Sequence, residues 1–194
     1  AVDFNRAVNF YETVLQIKLE IFDCGEEKMA CFPTGEGGAV TAFRKLFPEI
    51  LQEERPFFIA GSAWHDEAPK GRPDEDIGVK PDFAQCLERG ENHWAYVTGL
   101  TEASDPKLPL IADGFVEGQP GVYTDQRKRK GGVWMGRRAV VVYVSGAAKA
   151  EPLSAKTGFR VMRTRIDADG ASRQVDLFSR EGGLPEGTQV LNPW

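Results

Sequence analysis

Two histidines and an acidic loop are the side chains in this sequence that are best suited to chemistry. The histidines are His65 and His93. Five carboxylates follow the first of them: Asp66, Glu67, Asp74, Glu75 and Asp76. A carboxylate-rich loop can bind a hard cation through oxygen. The spacing does not match an EF-hand loop, however, and we interpret the segment as a solvated acidic loop.

His93 and Asp113 are each placed at the end of a predicted strand. His93 precedes Trp94, and we interpret it as a hydrogen-bonded core or edge histidine rather than a catalytic base. Asp113 and Gly114 follow the apolar run Leu108 to Ala112, and this dipeptide is typical of a turn. The functional alternative is that Asp113 presents oxygen to a cation, which makes it the candidate metal ligand.

Other common signatures of catalysis are missing from the sequence. It contains no nucleophile elbow, no phosphate-binding Walker loop, no HExxH zinc motif and no CxxC pair. The aromatic and glycine residues between His93 and Trp134 could line a ligand groove, but a tightly turned sheet explains them equally well. The sequence therefore predicts no catalytic residue.

Charge argues against a nucleic-acid binder. The formal net charge is −5, with 29 acidic and 24 basic residues, whereas nucleic-acid-binding proteins usually carry a basic face. The one dense basic run, Arg127 to Lys130, is followed by two glycines. We interpret that run as a solvated turn.

The three cysteines do not decide the compartment. Cys24, Cys31 and Cys86 form no metal motif, and an odd number cannot pair completely within one chain. A hairpin disulfide between Cys24 and Cys31 and two buried thiols are both compatible with the sequence.

The sequence has neither a signal peptide nor an apolar stretch near the 18 to 20 residues, roughly, that a membrane-spanning helix needs. Because it opens on Ala1 rather than Met, we expect an N-terminal piece to precede it.

Hydrophobic periodicity predicts the elements that position these side chains. A helix with Asp3 as its cap runs from Phe4 to Leu15, and a hairpin follows over residues 17–32. Pro33 to Gly38 breaks the pattern and is the best candidate boundary between two units, residues 1–38 and 39–194.

Beyond that boundary, a helix with a bend or late start at Pro48 is predicted over residues 42–51, and a strand over 57–60. Residues 61–81 are predicted to form a long surface excursion, with a small helix from Asp82 to Gly90 after it. Residues 182–194 show little periodicity. Five further strands are expected to form antiparallel hairpins, because no helix-length segment separates them: His93–Val97, Leu108–Ala112, Gly132–Met135, Ala139–Val144 and Phe159–Arg163.

The segments around His93, Asp113 and Trp134 are similar to those of a known family. Residues 93–100 (HWAYVTGL), 109–115 (PLIADGF) and 130–136 (KGGVWMG) occur in the order seen in the heads of prepilin-type, type II secretion pseudopilin-like proteins. Residues 139–146 resemble the next strand and turn, although Ser145 stands where the family usually has Asp. The resemblance covers about residues 32–194.

This resemblance implies a structural subunit of a pseudopilus and a noncatalytic role in assembly. It implies other pilin-like subunits or secretion-system components as partners, no nucleic acid, and contact with a membrane only through an N-terminal helix missing from this sequence. The implied location is the bacterial cell envelope, at the periplasmic face of the inner membrane. The resemblance implies no required cofactor, and it allows Ca²⁺ to bind near Asp113. The expected assembly or binding surface comprises His93, Trp94, Tyr96 and Trp134.

The first 38 residues resemble a different family. Residues 3–12 (DFNRAVNFYE), 14–19 (VLQIKL) and 28–33 (KMACFP) are similar to the first helix and strands of the vicinal oxygen chelate superfamily, which includes glyoxalases and bleomycin-resistance-like proteins. Gln16 stands where that family usually has Gly. This resemblance implies a metal-dependent, cytoplasmic enzyme or drug-binding protein as the alternative function.

Taken together, the expected fold is α+β. An N-terminal helix and hairpin pack on a mainly antiparallel sheet with long loops, as in a pilin head.

Overall fold

The computed structural model describes residues 38–65, 73–79, 85–101 and 103–194, and the backbone of residues 20–23 and 28–31. In this part of the chain, a single α-helix, α1 (Gly38–Arg44), lies beside a five-stranded antiparallel sheet. Two separate hairpins complete the fold. The predicted helix at residues 4–15, with its cap Asp3, lies outside the described residues.

The central sheet has the strand order β6-β5-β4-β3-β9. Its strands are β3 (Trp94–Thr98), β4 (Pro109–Asp113), β5 (Arg138–Tyr143), β6 (Ala148–Pro152) and β9 (Gln189–Leu191). The hairpins are formed by β1 (Glu20–Asp23) with β2 (Lys28–Cys31) and by β7 (Met162–Ile166) with β8 (Ser172–Asp176). Every pairing is antiparallel.

One face of the sheet packs on the larger hydrophobic core. Ala95 and Val97 on β3 alternate with half-buried Trp94 and Tyr96, as the twofold period of a strand requires. The core side of the sheet meets loops from the C-terminal half of the chain. Besides Ala95 and Val97, the buried members of this core are Leu108, Ala112, Phe115, Tyr123, Ala139, Val141, Leu153, Val161, Leu177, Phe178 and Leu184.

The opposite face packs on α1 through a smaller aromatic cluster. Phe43 of α1 lies 5.1 Å from Phe57 and 5.5 Å from Tyr96, measured between ring centroids. Helix α1 starts at Gly38, whose φ of 65° is left-handed, and the Ala39 N–H donates to the Asn192 carbonyl at 2.8 Å. The C-terminal segment therefore holds the start of the helix against the sheet.

The antiparallel sheet expected from the sequence is confirmed, and so are three of its strands. The structure places β3 and β4 one residue later than predicted, and β5 one residue earlier. The hairpin within residues 17–32 is confirmed as β1 and β2. The sequence did not indicate β6, β8 or β9, because β6 and β8 carry many exposed residues and β9 has only three.

Two predicted strands are wrong. Residues 132–135 form turns, with the Gly132 N–H bonded to Arg129 and the Met135 N–H bonded to Gly132. A Cβ on Gly131 would lie 2.6 Å from the Val116 nitrogen, so this segment is shaped by close backbone packing. Residues 55–57 form a 3₁₀ turn with proline in its first turn, which replaces the strand predicted at 57–60.

The remaining predictions are partly correct. The helix predicted over 42–51 begins earlier and ends at Arg44, ahead of Pro48, while β7 begins three residues after the predicted Phe159. Residues 85–90 form turns rather than a helix, and Asp82 lies outside the described residues. The basic run at 127–130 forms a turn, as predicted. No described helix is long and apolar enough to cross a membrane.

Candidate functional site

His93 lies fully buried at the start of β3, where it joins the sheet to the segment before it. The Ile59 N–H donates to its Nδ1 at 2.9 Å, and its Nε2 lies 3.1 Å from the Gly90 carbonyl. A neutral ring with its proton on Nε2 satisfies both contacts. Burial lowers the pKa of His93, which also favours the neutral ring.

Asp113 lies at the end of β4, directly opposite Trp94 of β3. Its side chain is fully buried. The Trp134 Nε1–H donates to its Oδ2 at 2.8 Å, and the Val140 N–H donates to the same oxygen at 2.6 Å. The other oxygen, Oδ1, is buried and has no hydrogen-bond partner in the part of the chain that the structure describes. Burial raises the pKa of Asp113 to about 6, against the lowering effect of these two donors and of Arg138.

His93 and Asp113 belong to one backbone-linked unit. The Gly114 N–H, directly after Asp113, donates to the His93 carbonyl at 2.9 Å. The His93 N–H in turn donates to the Phe57 carbonyl at 3.0 Å. Segments that are far apart in sequence therefore meet where β3 begins and β4 ends, and the polar groups there position the backbone.

Of the four residues predicted to form an assembly or binding surface, His93 is fully buried, and the other three are half-buried with separate contacts. Trp94 donates through Nε1 to the Pro56 carbonyl at 3.0 Å. Tyr96 packs on Phe43 of α1. Trp134 lies under the guanidinium of Arg138, whose Cζ is 4.7 Å from the ring centroid.

His65 lies near His93, in a 3₁₀ turn formed by residues 63–65. The two imidazole centroids are 6.2 Å apart. The Nδ1 of His65 contacts the Ser62 carbonyl. The acidic residues Asp66 and Glu67 of the same predicted loop lie outside the described residues.

A second polar site was not predicted as a unit. One carboxylate oxygen from each of Glu54, Asp74 and Glu91 lies within 4.8 Å of the others, the one group of potential metal ligands found among the described residues. Glu54 and Glu91 are almost fully buried, at 0% and 1% exposure, and Asp74 is exposed. The three residues come from three separate segments of the chain.

Backbone N–H groups orient the two buried carboxylates. The Asp74 N–H donates to Glu91 Oε1 at 3.1 Å, and the Glu88 N–H donates to its Oε2 at 2.6 Å. The Leu87 N–H donates to Glu54 Oε1. Glu54 Oε2 is buried and has no hydrogen-bond partner among the described residues.

The carboxylates of this acidic cluster disfavour each other's charge. Burial, and after it the charge on Glu54, raises the pKa of Glu91 to about 7. Burial also raises the pKa of Glu54, with Asp74 and Glu75 acting in the same direction. Nearby Arg44 donates to the carbonyls of Cys86 and Leu87, at 2.6 and 3.0 Å.

The sequence identified Asp74 as part of an acidic loop but gave no reason to select Glu54 or Glu91. Glu54 follows Glu53 in a polar stretch, and Glu91 follows a predicted helix end. The only signal for either residue in the sequence is that it stands close to an aromatic turn or a buried strand. Many surface glutamates share this feature. Their convergence depends on the path of the chain between residues 54 and 91.

Comparisons of the chain with protein-family models, with curated proteins and with solved structures found no match in any of the three.

Proposed function

We propose that residues 39–194 form the head of a pilin-like subunit of a type II secretion pseudopilus and that the role of this head is structural. The observation that carries the proposal is the meeting of the resembling segments at Asp113. His93 opens the first segment, Asp113 ends a strand in the second, Trp134 belongs to the third, and Val140 belongs to the strand that follows.

A structural role explains the chemistry of these residues better than catalysis does. His93 is buried and its nitrogens contact main-chain groups, whereas a general base must reach a proton on its substrate. Asp113 binds an indole N–H and a backbone N–H within the fold. Both residues are thus suited to fixing loops at one end of the sheet.

An apolar row across the sheet is suited to subunit contact. The strand registers place Leu191, Tyr96, Ile111, Val142 and Ala148 side by side on one face. The first three pack against the cluster around α1. Val142 is half-buried and Ala148 is exposed, so the row continues beyond that cluster and offers a surface to a neighbouring subunit.

In this proposal the protein acts in the bacterial cell envelope, on the periplasmic side of the inner membrane. Its partners are other pilin-like subunits or secretion-system components. Apart from this short apolar row, head contacts are expected to be small and polar, so stable assembly depends on an N-terminal helix of the kind found in such subunits.

Photo-crosslinking in the native bacterium tests this proposal. A photoreactive amino acid at Ala148 is expected to form adducts with pilin-like subunits, which mass spectrometry of the crosslinked product identifies. The matched control is Ala171, an exposed alanine in the turn between β7 and β8, which should give fewer adducts. Adducts only with metabolic enzymes, or none from either position, would overturn the proposal.

Metal analysis separates this function from the alternative of a vicinal oxygen chelate protein. That alternative depends on residues 1–38, most of which lie outside the described residues. Stoichiometric zinc, nickel, manganese or iron in the purified protein would favour it. Calcium or no metal is the result expected for a pseudopilin-like head.

A further inference from the structure

Among the described residues, the acidic cluster of Glu54, Asp74 and Glu91 lacks the compensation that buried carboxylates usually require. Buried charges are normally paired with an opposite charge or bound to a metal. Here the charged groups with the largest effects on the pKa values of Glu54 and Glu91 are other carboxylates. The unpartnered Glu54 Oε2 adds a buried acceptor that no described donor satisfies.

The spacing of the cluster suits calcium. Ligand oxygens on opposite sides of Ca²⁺ are roughly 4.6 to 5.2 Å apart, because each Ca–O distance is about 2.3 to 2.6 Å. The three carboxylate oxygens lie within 4.8 Å of one another, which this ion can bridge. Mg²⁺ demands near-ideal octahedral geometry and dehydrates reluctantly, so carboxylates brought together from three separate chain segments suit it less well than Ca²⁺.

The cluster also has an open side from which an ion can enter. Asp74 is exposed, as are its neighbours Glu75 and Asp76. Ca²⁺ takes about six to eight oxygen ligands. Water can supply the remaining ligands, and a further carboxylate lies beside the cluster, because Glu75 Oε2 accepts from the Glu54 N–H at 3.1 Å.

We infer that Glu54, Asp74 and Glu91 form a calcium site that clamps three chain segments together beside α1. The ion would join the turn before residues 55–57, the acidic segment at 73–79 and the turn that leads into β3. This site is separate from the predicted ligand Asp113, which does not belong to the cluster. The inference does not depend on the proposed role in secretion.

The test is a calcium titration of the metal-stripped protein at pH 8. Isothermal titration calorimetry with CaCl₂ should give one ion bound per cluster, and a parallel titration with MgCl₂ should give weaker binding. At a calcium concentration about a hundred times the Kd, the Tm should rise by about 5 °C or more. If calcium produced neither a heat of binding nor a Tm shift, the inference would be overturned. A proton shared between the carboxylates would then be the means by which the cluster is neutralised.

Asp74→Asn is the decisive variant, because this exposed residue can lose its charge without disturbing the buried packing. It should weaken calcium binding at least tenfold, and Glu54→Gln should do the same if it folds. Glu186→Gln removes the same charge at another exposed position and should bind calcium like the wild type. The assignment of these ligands would be overturned if Glu186→Gln weakened calcium binding as much as Asp74→Asn does. It would also be overturned if Asp113→Asn lost calcium binding while Asp74→Asn retained it.

Discussion

At the scale of single residues, buried Asp113 and the buried carboxylates of the acidic cluster have different surroundings. Asp113 receives an indole N–H and a backbone N–H on one oxygen, whereas the acidic cluster brings carboxylates together. Hydrogen-bond donors stabilise the ionised form of a buried acid, and neighbouring carboxylates destabilise it. The surroundings of Asp113 therefore make it a structural element that the fold itself supports.

Removing the indole donor to Asp113 should destabilise the protein. Trp134→Phe keeps a large ring but leaves the buried carboxylate with one donor fewer, and we expect a loss of about 1 to 3 kcal/mol in the free energy of unfolding. Urea denaturation at pH 7.5 measures it. Trp94→Phe is the control, since its indole N–H donates to a neutral carbonyl, and it should cost about 1 kcal/mol or less. Equal losses in the two variants would contradict the role given to Asp113.

Asp113 should also affect the pH dependence of stability. Its folded pKa is about 6, above the ordinary 3.8, so the folded protein retains this proton to a higher pH than the unfolded chain does. Its contribution to stability is therefore present at low pH and falls as pH rises from about 4 to 6, by an amount on the order of 2 to 3 kcal/mol.

Asp113→Asn removes this titration. Relative to the wild type, the variant should gain stability between pH 4.5 and 7.5, as urea denaturation across that range would record. The exposed substitution Asp169→Asn serves as the control and should follow the wild-type curve. Parallel curves for Asp113→Asn and the wild type would show that Asp113 does not titrate in this way.

At the scale of elements, alternation within strands was enough to predict the centre of the sheet. Ala139 and Val141 are buried while Val140 is half-buried, and this pattern follows from the twofold period of a strand. The edge strands β6 and β9 were missed, because exposed or very short strands lack such a signal. The turns at 132–135 were mistaken for a strand, because Val133 and Trp134 suggest β-structure when their backbone contacts are unknown.

The sequence also predicted the site only in part. His93, Asp113 and Trp134 could be selected because they occur in recognisable segments. Glu54 and Glu91 could not, since their importance comes from long-range convergence rather than from spacing along the chain.

Close packing at Gly114 is a testable feature of the element that follows β4. A Cβ at this position would lie 2.6 Å from Trp64 Cδ1 and 2.8 Å from Pro193 Cγ. Gly114→Ala should therefore destabilise the protein by about 1 to 3 kcal/mol, as measured by urea denaturation.

Gly118→Ala is the matched control for that substitution. Its φ is 69°, and a Cβ there would have no atom within 4 Å, so its cost comes from the left-handed backbone and should be about 1 to 2 kcal/mol. A Gly114→Ala protein as stable as the wild type would show that Trp64 and Pro193 can move aside.

At the scale of the whole molecule, the described surface offers few apolar side chains for strong self-association. The large exposed hydrophobic residues in this part of the chain are Ile50, Val79, Met135 and Ile166, and they are far apart in sequence. We expect the protein to be monomeric or weakly associating at micromolar concentrations. Sedimentation velocity checks this, and a stable dimer at these concentrations would contradict it.

The position of β9 has a consequence for synthesis. This strand pairs with β3, the first strand of the central sheet in sequence order, and nearly a hundred residues separate the two. Asn192, just beyond β9, accepts from the Phe115 N–H at 3.1 Å and donates to the Val116 carbonyl at 3.1 Å. On the ribosome, β3 must therefore wait with one edge unpaired until residues 189–192 have left the exit tunnel, and during that interval the open edge is exposed to pairing with other chains.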